Sequence, residues 1–330
     1  MKIFVIGDYK SGTGPANATE SLIKALGDAE FQKYSNKFLR LLELYIKIPR
    51  CDICFLSGHS KQNLYAIKLA RKYGKKVLFW MHGCVEHENA INKAVDEDMN
   101  RVERQVMAGS DRILAVSKRF EEWLKENYPE YRERITHLSN GIENGVYGKD
   151  IPDAPKRHKS VVSVGGGMIR KRIVRICEAI DILNKEGMDL TLHVFGAPGG
   201  DSPAIDSYSF VEDHGVLEQG LVRSFMERSA LYIQNSCFET FGLAPLEALG
   251  CGSSLLLSKE IGALEVFDKG VIKGEDLIED CEDPIEIAQK IRGLLSEPNH
   301  DRLAAGVDME VRSWKRAADT LKELCKNEID

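Results

Sequence analysis

Twice in this chain a short apolar run ends in glycine and passes into a helical pattern, and that arrangement leaves few folds open. At the start, Lys2-Ile-Phe-Val-Ile6 runs into Gly7-Asp8, then Ser11-Gly-Thr-Gly-Pro-Ala-Asn17, and a helix is expected near Ser21–Leu26. Near the middle, Ser160-Val-Val-Ser-Val164 runs into Gly165-Gly-Gly-Met-Ile-Arg-Lys-Arg172 and a helix over Ile173–Lys185. Strand, glycine turn and helix open a parallel α/β unit, because parallel neighbours need a crossover and the helix supplies it. Asp52-Ile-Cys-Phe-Leu56 and Lys76-Val-Leu-Phe-Trp-Met81, separated by a helix over Asn63–Tyr73, extend the first unit as buried strands. Leu190–Gly196, Ala230–Ile233 and Ser254–Leu257 extend the second. Lys149–Lys159, rich in proline and charge and without apolar period, reads as a linker. Since single cores stop growing near ~250–300 residues, 330 residues suggest two domains, 1–150 and 151–311.

The chemistry concentrates in Ser236-Cys-Phe-Glu-Thr-Phe-Gly-Leu-Ala-Pro-Leu-Glu-Ala-Leu-Gly-Cys-Gly252, which lies between two of those strands. Pro245 suits a first helical turn, and Gly250 and Gly252 supply the stop, so a short helix is expected. The amides around Gly242, Leu243 and Ala244 then lack intrahelical partners and favour an anion. Glu239 and Glu247 flank them with acceptor oxygens suited to hydroxyls. A sugar nucleotide carries both kinds of group. In the second glycine turn, backbone room is followed by the fixed positive charge of Arg170 and Lys171, a further phosphate-seeking arrangement.

Charge and composition narrow the partners. A net charge of −6 argues against nucleic acid, whose binders show a basic surplus. No run approaches the ~18–20 apolar residues of a membrane span, and the first residues enter a strand without a signal-peptide pattern, so a cytoplasmic protein is expected. Gly12-x-Gly14 is half of a dinucleotide fingerprint, but the third glycine position is Asn17. Cys51-x-x-Cys54 has no second pair to complete a zinc ribbon and reads as buried thiols. Asp96-Glu97-Asp98 contains an Asp-x-Asp, but in a polar helical run, where a solvated face is expected. Residues 31–50 interleave Lys33, Lys37, Arg40, Lys47 and Arg50 with Phe38, Leu41, Leu42, Tyr45 and Ile46. Such a stretch is expected to pack on a sheet with its charges in water, the alternative being contact with a membrane surface.

The Glu-x7-Glu spacing from Glu239 to Glu247, with Phe241-Gly242-Leu243 inside it and Glu-Ala-Leu-Gly-Cys-Gly after it, resembles the signature of retaining glycosyltransferases of family 4, of the bacterial polysaccharide and lipopolysaccharide type. The resemblance implies the GT-B fold, two Rossmann-like α/β domains facing a central cleft, with the acceptor at the first and the nucleotide-sugar donor at the second. It implies that Glu239 meets hydroxyls of the donor sugar and Glu247 the ribose. Arg170 and Lys171 would hold the diphosphate, beside Gly165 and the amides of Gly242 and Leu243. Gly12 and Gly14 would approach the donor's phosphates, and His82, at the end of a strand, would contact its sugar, with His59 and His87 as weaker candidates. Arg172 departs from the pattern, standing where the family usually has glycine, and leaves open whether it or Arg170 faces the diphosphate. Residues 104–117 and Asn140-Gly-Ile142 resemble the family's first domain, and residues 312–330 its closing helix, which packs back on that domain.

The implied reaction moves a sugar from a UDP- or GDP-sugar to a glycan or lipid-linked glycan, retains configuration, and needs no metal or other cofactor. Peripheral contact with the inner membrane face would suit such an acceptor. A nucleotide-sugar 2-epimerase of the same fold and a catalytically silent nucleotide-sugar-binding partner are the alternatives.

Overall fold

The structure, a computed structural model, describes residues 1–34, 36–142, 157–308 and 310–329. The expected domain boundary at 150/151 lies outside the described residues, as does the linker up to residue 156; Arg157–Lys159, read as linker, already belong to a strand. The chain divides into two compact units. Unit 1 comprises Met1–Asn89, Val95–Ile142 and Glu310–Asp330, and unit 2 comprises Ala90–Ala94 and Glu143–Met309.

Unit 1 is built on β1 (Ile3–Gly7), β2 (Glu30–Phe31), β3 (Ile53–Ser57), β4 (Lys76–Met81), β5 (Arg112–Ala115) and β6 (Ile135–His137), in the order β2-β1-β3-β4-β5-β6. All the paired strands run parallel. β3 is buried throughout and β4 everywhere but Lys76, which is why both read as continuous apolar runs rather than alternating ones. Gly7 lies level with Ser57, and a Cβ there would stand 2.6 Å from the Ser57 carbonyl oxygen, so glycine lets β1 reach its C-terminal end. The helix Trp314–Ile329 belongs to this unit; Ser313 bridges Ile142, and the Trp314 ring meets Trp80 edge-on at 6.5 Å. Asp96 caps the helix Glu97–Gly109 by accepting from the Met99 amide at 3.0 Å, and Asp98 pairs with Lys61 at 2.6 Å.

One expectation fails here. The helix Lys37–Lys47 buries only Glu43 and Leu44 and leaves Phe38, Leu39, Leu42, Tyr45 and Ile46 exposed. Its charged side turns inward instead. Buried Glu43 accepts from the Lys33 and Tyr34 amides and from Lys47, while Arg40 donates to Gln32 at 2.9 Å. The amphipathic pattern is real, but the loop before the helix recruits its polar face.

Unit 2 is built on β7 (Arg157–Val164), β8 (Thr191–Phe195), β9 (Val211–Asp213), β10 (Ser229–Gln234), β11 (Ser254–Ser258) and β12 (Leu277–Ile278). The parallel order is β12-β11-β10-β7-β8-β9. Its core packs Ile176, Ile180 and Leu183 of the helix Ile173–Lys185 against Leu192, Val194, Leu231, Ile233 and the Ile287–Ile291 side of the helix Pro284–Ser296. The chain winds outward from β7 in one direction and from β10 in the other. In such sheets the loops that leave the C-terminal ends of the two central strands diverge and open a crevice for ligand.

Candidate functional site

Both loops at the β7/β10 switch carry the charged residues singled out in the sequence. After β7 the chain turns through Gly165, whose φ of 155° is accessible only to glycine at little cost, and an added Cβ there would stand 2.5 Å from the Lys171 Cγ. A short 3-10 turn, Ile169–Lys171, follows. Arg172 then takes left-handed backbone, φ 51° and ψ 33°, before the helix Ile173–Lys185 begins. This is a conformation that a glycine would adopt without strain, and the long side chain is kept by its own contacts. Arg172 Nη1 donates to the Ile169 carbonyl at 2.8 Å, and the guanidinium pairs with Glu282.

The loop after β10 answers with Glu239. Its carboxylate accepts from Arg170 Nη1 at 3.2 Å and from Lys171 Nζ, and the three side chains are only 14%, 12% and 12% exposed for Arg170, Lys171 and Glu239. Burial pushes the Glu239 carboxyl up, but the Lys171 and Arg170 charges outweigh that and hold it at about 2. The Cys237 amide donating to the Arg170 carbonyl at 2.9 Å ties the two loops together through the backbone. Two cations and one carboxylate thus meet in a half-dry crevice, where a phosphate could join them by charge-assisted hydrogen bonds.

Gly242 follows with φ 90°, and a Cβ there would press on Glu239 Cγ at 3.1 Å and on Gln234 Nε2 at 3.3 Å. Phe241 is buried and accepts from the Ala263 amide through its carbonyl at 2.7 Å, which pins the loop to the chain after β11. Leu243 stands at the N-cap position of the helix Ala244–Gly250 without a side-chain cap, and Pro245 lies in its first turn. Glu247 on that helix accepts from Gln219 Nε2 at 2.6 Å. Three residues not singled out in the sequence complete the arrangement. Gln234, at the end of β10, donates to Glu239 at 3.0 Å and accepts from the buried Tyr232 hydroxyl at 2.9 Å, and Gln219 holds Glu247. Burial, then the charges of Glu239 and Glu247, push the Tyr232 hydroxyl well above its ordinary range, so it remains a donor. A polar residue closing an otherwise apolar strand was the available signal for Gln234.

In unit 1, His82 leaves the C-terminal end of β4. Its Nε2 lies 2.9 Å from Ser57 Oγ, which lies 2.7 Å from Thr19 Oγ1, and its ring packs on Trp80 at 4.4 Å. Burial, and then the neighbouring His59, lower its pKa to about 3, so the ring is neutral at physiological pH. His59 itself lies 3.5 Å from buried Glu103, and His87 packs on Trp123. Gly12, at φ 73°, and Gly14, which opens the helix Gly14–Leu26, frame Thr13, whose hydroxyl caps that helix. The loop they form is exposed, at the β1 side of the β1/β3 switch.

Comparison with known proteins places this geometry. Residues 149–307 match the family model described as Glycosyl transferases group 1, and residues 19–144 match Glycosyltransferase Family 4. A probable sucrose-phosphate synthase of Thermosipho melanesiensis is 24% identical over 61% of this chain and 49% of its own. A GDP-mannose-dependent alpha-(1-6)-phosphatidylinositol dimannoside mannosyltransferase of Mycobacterium tuberculosis is 28% identical over 49% of this chain and 42% of its own, so the matches span about half the length of these curated relatives. Among solved structures, Anabaena HepE in complex with UDP and glucose superposes over 99% of this chain and 100% of its own, with a TM-score of 0.72 at 14% identity. With both halves of the sequence matched and two six-stranded parallel sheets in the fold, the chain belongs to the family 4 type of glycosyltransferases and has their GT-B fold.

Proposed function

We propose that this protein transfers a sugar from a UDP- or GDP-sugar to a hydroxyl of a glycan or lipid-linked glycan, with retention of anomeric configuration and without a divalent metal in the transfer step. The observation that carries the reading is the largely buried trio of Arg170, Lys171 and Glu239 gathered at the switch point of unit 2. As the bond between sugar and diphosphate breaks, negative charge grows on the departing phosphate and positive charge on the sugar ring. Arg170 and Lys171 supply fixed counter-charge for the first, assisted by the amides of Gly242 and Leu243, whereas the amides of Gly165, Gly166 and Gly167 already donate to the Phe195 and Ala197 carbonyls. Glu239 accepts from hydroxyls of the donor sugar, with Gln234 holding the carboxylate in place. Glu247 accepts from the ribose hydroxyls, and Gln219 orients it. His82, neutral and tied to Ser57, offers a ring that hydrogen-bonds a sugar without adding charge.

The names of the relatives point the same way, since HepE is described with UDP and glucose and the mycobacterial protein as a GDP-mannose-dependent phosphatidylinositol dimannoside mannosyltransferase. The apolar face of the helix Lys37–Lys47, with Lys33 and Lys37 exposed beside it, supports an acceptor at a membrane surface. Among the described residues no helix is long and apolar enough to cross a membrane. The deciding experiment is turnover of a panel of nucleotide sugars with and without a glycan or lipid-linked acceptor. Product that forms only with acceptor supports transfer. A rearranged donor without acceptor means epimerisation, and binding without turnover means a silent partner.

A further inference from the structure

Away from the residues that would hold the donor, the far edge of the unit 2 sheet brings together a second set of polar side chains. β8 and β9 pair with His193 opposite Glu212, and His214, two residues beyond Glu212, emerges on the same face. His193 Nδ1 lies 3.1 Å from His214 Nε2 and 3.2 Å from Glu212 Oε2, and that oxygen lies 3.7 Å from His214 Nε2. A point equidistant from the three atoms lies about 1.9 Å from each. Zinc–imidazole and zinc–carboxylate bonds run ~2.0–2.2 Å, so a cation just out of that plane reaches all three at once. Among the described residues this is the one group of three metal-ligating side chains that converges.

The surroundings suit a held ion. His193 is 8% exposed, His214 21% and Glu212 57%, so the donors rest on the core on one side and open to water on the other. Phe195 stacks on His214 at 4.8 Å, and Phe225 packs on His214 at 4.6 Å and on His193 at 5.2 Å, which fixes both rings before any ion arrives. Two imidazoles and one carboxylate suit zinc and its neighbours rather than magnesium or calcium.

We propose that His193, Glu212 and His214 bind one divalent transition-metal ion of the zinc class, which clamps the edge strand β9 to β8. The helix Gln219–Arg228 supplies Phe225 to this site and Gln219 to Glu247, so the clamp also steadies the helix that orients Glu247. The role is structural, separate from the transfer step.

The test uses the 330-residue chain, stripped with chelator and dialysed. Zinc chloride is titrated by calorimetry, and cobalt(II) chloride by absorption. One saturating equivalent is expected, with cobalt bands of nitrogen and oxygen ligation and no thiolate-to-cobalt charge transfer, and with a rise in Tm on zinc addition. Glu212→Gln, at an exposed position, and His214→Ala are each expected to weaken binding by more than the ~10–100-fold that outer-shell changes cost, and to remove the Tm rise. Far-UV circular dichroism checks that both variants are folded. No saturable binding, a thiolate band that places the metal on cysteines, or unchanged affinity in a folded Glu212→Gln protein would each overturn the proposal.

Discussion

Arg172 turns its guanidinium to Glu282 while its two predecessors turn their charges to Glu239, so three consecutive basic residues serve two different carboxylates. Left-handed backbone at Arg172 sends its side chain away from the path taken by Arg170 and Lys171. Left-handed strain of about 1–2 kcal/mol and an ion pair to half-exposed Glu282 worth ~0–1 kcal/mol nearly cancel, so Arg172→Gly is expected to shift stability little and leave turnover nearly unchanged. Lys171→Ala removes the group proposed to meet the departing diphosphate and is expected to slow turnover on the order of a hundredfold. Urea titrations and initial rates on both variants check this. If Arg172→Gly is the slow enzyme and Lys171→Ala the normal one, the assignment is reversed.

Turnover is expected to persist in excess EDTA. In the proposed mechanism Arg170 and Lys171 supply the counter-charge for the diphosphate, and Asp96 and Asp98, the residues of the one Asp-x-Asp considered, are taken up by a helix cap and by Lys61. Activity abolished by the chelator and restored by Mg²⁺ or Mn²⁺ would sink the metal-free mechanism. The edge-strand clamp is read separately, as a fall in Tm.

Glu239 and Glu247 should fail in different ways. Glu239→Gln keeps the shape but removes the carboxylate charge that Arg170 and Lys171 share, so kcat is expected to fall by a larger factor than donor affinity. Glu247→Ala should weaken nucleotide binding by the ~1.5–3 kcal/mol of a hydrogen bond to a charged group, with Gln219→Ala a milder version. Calorimetry with the free nucleoside diphosphate separates them, and an unchanged Kd in Glu247→Ala would rule out the ribose role.

His82 makes stability depend on pH in a definite direction. Its folded pKa is about 3 against an ordinary 6.5, so as pH falls the unfolded chain takes the proton first. The contribution of His82 is intact above pH 6.5 and is lost progressively toward pH 3. Glu239 acts lower, because a carboxyl held at about 2 gives up its contribution only from pH 4.5 downward. Melting curves of wild type and His82→Asn between neutral pH and the onset of carboxylate protonation should show the shallower decline in the variant. Equal slopes would mean that the imidazole is not held neutral.

Vesicle binding tests the apolar helix face. Phe38 is 73% exposed and Tyr45 55%, more than isolated surface apolar residues need. Wild type is expected to co-sediment with anionic phospholipid vesicles, and Phe38→Asp combined with Leu42→Asp to stay in the supernatant with its melting temperature unchanged. Equal partitioning of the two proteins would remove the membrane from the account.

Much of the architecture was legible because buried parallel strands are written as unbroken apolar runs, and because glycine followed by a 3.6-residue period marks where a helix begins. The helix Ile173–Lys185 is found over the residues expected for it. β2, β6, β9 and β12 were not legible, being only two or three residues long and at or near the sheet edges, too short to show a period. The orientation of the helix Lys37–Lys47 was hidden for another reason. Its period gives two faces, and which one turns inward was decided by the amides of Lys33 and Tyr34 reaching Glu43. Gln234 carried only the weak signal of a polar residue closing an apolar strand, and Ser57 closes β3 in the same way; what either does depends on what stands beside the strand end. The convergence of His193 with Glu212 and His214 was equally hidden, because it depends on the register of β8 against β9.

The winding order of the unit 2 sheet also bears on how this chain acquires its donor site in time. Lys171 and Glu239 are 68 residues apart, and they meet only where β10 docks beside β7, with β8 and β9 on the other side of β7. Closing so long a segment costs chain entropy before any contact repays it, which makes this pairing a late and slow event in folding. A nascent or refolding chain is therefore expected to lack the proposed diphosphate site until β10 pairs with β7, and a nucleotide sugar would slow unfolding far more than it hastens folding.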